Sequence, residues 1–461
     1  MSAKELVTAY TRALGARLLA EANDLKRTPE SLAEELGIPL ARLQSAIDGA
    51  LQPEEYRSLF ERVAGRYPIA FGRLWIEPTD TRCGLRHMTA DESRQSSRIF
   101  TRRDRNGALT PYYEYRDTAM SQLAPFRPEW IRELRVVKDA DPDNPDVAYN
   151  KGHFLPQTTF FIGPVNFYWE VNGKRYCAEL ETGDSNYITP FWPHSFASRD
   201  ASRTALIIAV TYGGEVARAR DEAGRMGAEM LRRVTIDLRD ARTAHAGVLQ
   251  RHLQSESISE AAFADECGER GLDPGRIGAI AAAETLPTPH ELQVMADVLT
   301  VSVRDLLPPS LNREEDVIVL RRAQAPVSEY PDRAAASYRI ARLARSRHQP
   351  YLKSFVLMLI EGRKGAELRV PLHQYIYNHG DQPVSLHTRA ADGEREATLV
   401  PGDSAYLSPM TGCTFNGLNG RGGELYIVRI PGDLQTEAVF ELSGMAPSGW
   451  DRVAAETTRW F

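Results

Sequence analysis

Cysteine is scarce in this chain: there are four in 461 residues, at positions 83, 177, 267 and 413, and none forms a CxxC pair. Such spacing argues against a disulfide framework or a thiolate zinc site, and it makes a reducing compartment the default. Long apolar runs are absent as well; none approaches the ~20 residues of a membrane-spanning helix. The start, Met1-Ser2-Ala3-Lys4-Glu5, does not read as a signal peptide. Nor is there an excess of positive charge. The 56 Lys and Arg face 62 Asp and Glu, a net of -6, which gives no general pull toward nucleic acid or anionic membrane. Against these absences the composition is ordinary, with 42% hydrophobic and 26% charged residues. A soluble, cytoplasmic protein of about three or four domains is expected, with neither membrane nor nucleic acid as partner.

The text of the chain alternates between two styles. The first ~65 residues are helical in character. Thr28-Pro29-Glu30-Ser31 offers an N-cap with proline in the first helical position, and Leu32 to Gly37 runs into a glycine turn. Leu40, Leu43 and Ile47 then space as the core face of a following helix, a helix-turn-helix pattern. As a DNA reader the helix from Pro39 to Gly49 is poor, since only Arg42 and Gln44 could touch bases or phosphates. From about Ile69 to Thr211 aromatic and β-branched runs alternate with Gly, Pro and Asn and predict strands. Helical text returns from Gly214 to about Leu307, and strands resume near Ser354. The expected organisation is 1–65 helical, 66–213 a β-barrel, 214–310 helical and 311–461 a second barrel with a tail. The fold class is therefore mixed α and β, in two tandem modules.

Candidate chemistry concentrates in two stretches. One is Asn150-Lys151-Gly152-His153-Phe154-Leu155-Pro156-Gln157, followed by Gly163; the other runs from Gly183-Asp184-Ser185 to Pro193-His194. The spacing His-x3-Gln, a glycine six residues on, then Gly-x10-His after a strand pair, is that of a cupin. In that double-stranded β-helix, adjacent strands bring distant histidines onto one metal. A lone histidine is usually structural, but His153 and His194 both fall on this spacing and are expected to bind metal together. Gln157 stands where cupins commonly carry a Glu ligand. Either its amide oxygen is a third donor, or it orients a water or His153. Such a donor set leaves open positions, as in non-haem Fe(II) enzymes, and zinc, a sugar isomerase or a storage cupin would use the same histidine pair. The segment Gly402-Asp403-Ser404 to Cys413 repeats Gly183 to His194 without a gap, keeping the turn residues and replacing the histidine by Cys413. The second barrel is thus expected to be degenerate and metal-free. Near the first site, Asn150 should line the cavity. Arg105 precedes the tyrosines Tyr112, Tyr113 and Tyr115. A guanidinium with phenol and amide donors suits a compact oxyanion, although in a run with Arg102 and Arg103 it also reads as a solvated charge.

Three motifs together resemble one family: Asn150-x-Gly152-His153, Gly183-Asp184-Ser185-x8-His194, and Asn23-x-x-Lys26-x-Thr28. It is the phosphonate-processing non-haem iron family of hydroxyethylphosphonate dioxygenases and methylphosphonate synthases, with hydroxypropylphosphonate epoxidase more distant. The resemblance covers nearly the whole chain. In the family's dioxygenases a carboxylate ligand lies six residues before the second histidine, and here that position is Ile188. Methylphosphonate synthases are similar to this chain in lacking that Glu and in carrying a Gln four residues after the first histidine. The resemblance implies Fe(II) held by His153, Gln157 and His194. It places the phosphonate on Asn150, Arg105 and Tyr115, with Tyr113 as the alternative tyrosine, and has Lys26 reaching over from the helical region. It implies Fe(II)- and O2-dependent C–C cleavage of 2-hydroxyethylphosphonate to methylphosphonate with carbon dioxide, self-association being left open. The alternatives are the dioxygenase outcome, hydroxymethylphosphonate and formate, which Ile188 disfavours, and a helix-turn-helix–cupin transcription regulator.

Overall fold

Thr28 stays extended, its hydroxyl accepts from the Ser31 amide, and Pro29 opens the helix Pro29–Leu36. Gly37, at φ +62°, ends it in the left-handed region. With Ala3–Asp24, Leu40–Ile47 and Pro53–Arg66 this helix encloses Leu14, Leu18, Leu32, Leu43, Tyr56 and Phe60. Leu43 is buried and Ile47 packs on this core, but Leu40 departs from expectation and is 42% exposed. It is the first residue of its helix, where the side chain leans back past the end of the apolar face. Helix Ala3–Asp24 crosses Leu40–Ile47 so closely that a Cβ at Gly15 would lie 2.4 Å from the Ile47 carbonyl oxygen. Asn23 ties down the tail of the chain. Its Nδ2 donates to Thr458 O (2.9 Å) and its Oδ1 accepts from the Trp460 amide (3.2 Å). The tail also covers Gln44, which accepts from Arg459, and Arg42 pairs with Glu55 at 3.6 Å. Both candidate DNA-reading side chains are therefore engaged within the chain.

The computed structural model describes residues 3–309, 316–347 and 349–460, so the boundary expected between 310 and 311 lies outside the described residues. A second helical cluster, Ala241–Glu256, Glu260–Glu269, Pro274–Ala281 and Pro289–Leu299, closes on Leu253, Phe263, Ile277, Leu292 and Met295. Ser259 and Thr288 cap two of its helices by accepting from the amides three residues on. Among the described residues no helix is long and apolar enough to cross a membrane.

The strands form two seven-stranded and two three-stranded antiparallel sheets. One large sheet runs in the order Val317–Leu320, Ser185–Ile188, Gln157–Ile162, Leu206–Tyr212, Phe126–Glu133, Leu109–Asp117, Arg98–Arg103. It packs on the small sheet Lys174–Leu180, Val165–Val171, His194–Ser198, with Phe161, Phe167, Leu180, Phe196 and Ile207 filling the space between them. The other large sheet is ordered Leu85–Met88, Ser404–Leu407, His373–Asn378, Gly423–Ile430, Lys353–Leu359, Tyr338–Arg342, Val327–Tyr330. One edge strand of each sheet comes from the other half of the chain. Leu85 pairs with Leu407, and Val317 pairs with Ile188. The strand Gln157–Ile162 is buried on both faces for this reason. Phe161 points into the core between this sheet and the small one, while Phe160 stacks on Tyr426 of the second large sheet, with centroids 4.8 Å apart and planes 13° from parallel. A strand buried on both sides loses the alternating pattern of a half-exposed one.

Candidate metal centre

The loop that carries Asn150, Gly152 and His153 is held in shape by its own atoms. Asn150 Oδ1 accepts from the amides of Gly152 and His194, both at 2.9 Å. Gly152 adopts φ +72°, and a Cβ there would sit 2.3 Å from the Phe191 carbonyl carbon, so only glycine fits. The Phe191 amide donates to His153 O at 2.8 Å, locking the loop that bears the first histidine to the one that leads to the second. The two imidazole centroids end 5.1 Å apart, with their planes 88° from parallel.

Each histidine presents the same nitrogen to the space between them. His153 Nδ1 lies 2.6 Å from Leu155 O, and His194 Nδ1 lies 2.9 Å from Trp192 O. A carbonyl only accepts, so each ring carries a proton on Nδ1 and directs Nε2 inward, where that of His194 meets Asn150 Nδ2 at 3.0 Å. Burial is the main reason that His194 is held near pKa 4, well below the ordinary histidine range, with neighbouring His153 adding to the effect. Gln157, one strand position beyond the loop, donates its Nε2 to Thr159 Oγ1 at 2.8 Å. That bond points Oε1 toward His153 Nε2, 3.2 Å away. Two acceptors then face each other across a gap that a bound cation would fill, and both histidines have the backbone-anchored Nδ1–H typical of metal ligands. Among the described residues no three His, Cys, Asp or Glu side chains come together, so a third protein donor has to be of another type, and Gln157 is in place. Ile188 is the Cα partner of Gln157 on the next strand and is fully buried beside Phe161 and Phe196.

Above this group lies a cavity of about 90 Å³. Its wall brings together Asn150, His153, Gln157, His194, Tyr113 and Tyr115 from the sequence expectations. The two tyrosines differ in commitment. Tyr113 OH donates to or accepts from Ser195 Oγ (3.2 Å) and also accepts from the Phe196 amide (2.9 Å). The hydroxyl of Tyr115 has no hydrogen-bond partner among the described residues.

Two expected residues are not in that wall. Arg105 occupies the exposed turn after Arg98–Arg103, where its amide and its Nε donate to Asp146 at 3.0 and 2.6 Å. The neighbouring arginine, Arg102, lies on the strand itself and lines the cavity. Lys26 lies in the turn two residues past the first helix, at φ +57°, with its Nζ 4.7 Å from the centre of the Trp460 ring. Within one chain its motif is occupied otherwise: Asn23 holds the tail and Thr28 caps a helix. Glu129 is a further wall residue that the sequence did not single out, its carboxyl raised above the usual range chiefly by burial. Strand parity is the signal that favours Arg102 over Arg105, but it can be applied only once the turn is located.

No protein-family model matches the chain. Over 451 residues it is 36% identical to the methylphosphonate synthase of Nitrosopumilus maritimus (strain SCM1), covering 97% of this chain and 95% of that protein. Among solved structures it is similar to the 2-hydroxyethylphosphonate dioxygenase of Streptomyces albus with 2-hydroxyethylphosphonate and Fe(II) bound. The TM-score is 0.88 at 36% identity, over 98% of this chain and 99% of that one. PhpD, solved with cadmium, matches at a TM-score of 0.75 and 19% identity over 95% of this chain, a likeness of fold alone.

Proposed function

Since the chain belongs to the family of methylphosphonate synthases and 2-hydroxyethylphosphonate dioxygenases, we propose that it cleaves the C–C bond of 2-hydroxyethylphosphonate with Fe(II) and O2, releasing methylphosphonate. The change balances as 2-hydroxyethylphosphonate plus O2 giving methylphosphonate, carbon dioxide and water, so no external reductant is required. What carries the choice within the family is the donor set. The amide oxygen of Gln157 faces His153 Nε2, while the strand position opposite is the apolar Ile188. A neutral third donor leaves a divalent metal with more positive charge than a carboxylate would.

His153 and His194 would hold the iron through Nε2 and Gln157 through Oε1, with Thr159 keeping the amide from turning over. Iron bound there supplies the redox chemistry, activating O2 against a substrate alcohol. The chain's own part is to bind and orient. Arg102 would take the phosphonate-binding role expected of Arg105, and its guanidinium, the Tyr115 hydroxyl and Asn150 Nδ2, which a metal on His194 Nε2 would release, would offer convergent donors to phosphonate oxygens. Tyr113, fixed by Ser195 and the Phe196 amide, would support the ring of Tyr115, 5.8 Å away, rather than meet substrate. Anaerobic loading with Fe(II), addition of 2-hydroxyethylphosphonate and then air, followed by 31P NMR, tests the proposal. Methylphosphonate as the main product supports it, whereas hydroxymethylphosphonate with formate would assign the chain to the dioxygenase outcome.

We also propose that the chain is one helical-plus-cupin module written twice, 1–65 with 66–213 and 214–310 with 311–461, the two exchanging an edge strand. The corresponding order of the two large sheets supports this. So does the recurrence of the loop bond Phe191 N to His153 O as Met410 N to Val370 O, both 2.8 Å long. Phe191 and Met410 also share a left-handed backbone, at φ +69° and +61°.

A further inference from the structure

The second barrel keeps more of the metal site than the loss of its histidine suggests. Gln157 pairs across the sheet with Ile188 on one side and Thr211 on the other; Gln374 pairs with Leu407 and Arg429 in the same way. Gln374 is therefore the second barrel's Gln157. Cys413 stands at the position of His194, and Val370 at that of His153, as the repeated loop bond requires. Gln374 and Cys413 are both 1% exposed.

The residue at the place of Thr211 is an arginine, and its head group is turned inward. Arg429 Nε donates to Gln374 Oε1 at 2.9 Å. In the first barrel that oxygen is the proposed metal donor, and the amide is oriented by Thr159; at the corresponding position the second barrel has Ile376, which cannot anchor it. The guanidinium also lies 4.9 Å from the centre of the Phe355 ring. Its charge is felt at Cys413, where it opposes the burial that lifts the thiol to about 12. Arg429 Nη2 and Gln374 Nε2 are buried without hydrogen-bond partners among the described residues.

We propose that the guanidinium of Arg429 stands in the metal's place in the second barrel, a fixed cation on the retained glutamine, and that it bars a metal from a site one donor short of complete. The inference rests on reading His153, Gln157 and His194 as ligands. A guanidinium is permanently charged and cannot be displaced by deprotonation. Putting back the missing imidazole alone therefore leaves the site closed, while removing Arg429 as well opens an imidazole, an amide oxygen and a thiolate to a divalent ion.

Cobalt(II) titration reads this without turnover, because a thiolate ligand adds a near-ultraviolet charge-transfer band and a histidine–amide site does not. The variants are Val370→His, Val370→His with Arg429→Thr, and the latter with Cys413→Ser. The expected results are no band for Val370→His, a band with one additional cobalt per chain for the double variant, and loss of the band on Cys413→Ser. A band in Val370→His with Arg429 intact overturns the proposal, as does a folded double variant that takes no additional cobalt. Arg429→Ser with Val370→His gives the same two readings should the threonine variant lose its circular dichroism signature. The first-barrel reading is separated by His153→Ala, which should remove the band-free cobalt alone. If His153→Ala leaves the band-free cobalt in place, the first-barrel ligand assignment falls and takes with it the reading of Arg429 as a stand-in for a metal; if His153→Ala removes that cobalt and the folded double variant takes up none in addition, the Arg429 proposal alone falls.

Discussion

In the proposed donor set, Thr159 is what would make Gln157 a ligand rather than a bystander. Its hydroxyl accepts from the amide nitrogen, and without it the two ends of the amide become interchangeable. Thr159→Val should keep the shape of the side chain and lower iron affinity about 10–100-fold. A metal titration beside a thermal melt checks this, and unchanged affinity would make Gln157 a neighbour rather than a donor. Moving the charge is a harder test. Gln157→Ala with Ile188→Glu puts a carboxylate on the adjacent strand in place of the amide. Because Ile188 is fully buried among aromatic and aliphatic side chains, an unpaired Glu there would cost several kcal/mol, on the order of 3–5. Iron content therefore has to be measured with the product ratio. The expected outcome is bound iron with product shifted toward hydroxymethylphosphonate; an iron-loaded variant that still makes methylphosphonate alone shows that donor charge does not select the product.

At the scale of elements, the loop Asn150–His153 and the strand Gln157–Ile162 act as one part. Gly152→Ala forces a Cβ into the Phe191 backbone, so the loop must shift away from its anchor. That variant should lose iron while the melting temperature falls by only a few degrees, since the strand core is untouched. A full loss of fold would mean that the loop contributes to the core rather than to the site. Phe160→Ala has the opposite profile. It removes a fully buried ring stacked between the two large sheets and should cost about 3–5 kcal/mol. With an edge strand of each large sheet supplied by the other half of the chain, the two large sheets should melt in one transition, and calorimetry showing two separated peaks would contradict that.

For the whole molecule, acid is the condition to which the fold is most exposed. His373 and His379 are both held near pKa 4 mainly by burial, with Asp433 and Glu424 respectively pulling weakly the other way. Both values lie below the ordinary 6.5, so between 6.5 and 4 the unfolded chain binds more protons than the folded one. Stability is therefore full above pH 6.5 and falls as the pH drops through that window, by up to about 3 kcal/mol per histidine. Denaturant midpoints measured at about pH 7.5 and about pH 5 check the sign. His373→Gln with His379→Gln should flatten the dependence, and a double variant with the full acid sensitivity would assign it elsewhere.

The sequence by itself determined what short-range spacing can determine. Asn150, Gly152, His153 and Gln157 lie within eight residues, and His194 follows a repeated Gly-Asp-Ser turn, so their common destination is written in local order. The cap at Thr28 and the break at Gly37 are equally local. Tertiary structure alone decided which side chains reach the cavity from farther away. Arg102 lines it and Arg105 does not, because one lies on a strand and the other on the turn, three residues on, where Asp146 takes its charge. Lys26 meets Trp460, a contact across almost the entire chain length that no local pattern announces. The exchanged edge strands and the inward turn of Arg429 belong to the same class. Spacing along a chain fixes the geometry of a few neighbouring residues, whereas the register of strands brought together from distant segments fixes which faces meet, and that register is set by the packing of the whole core.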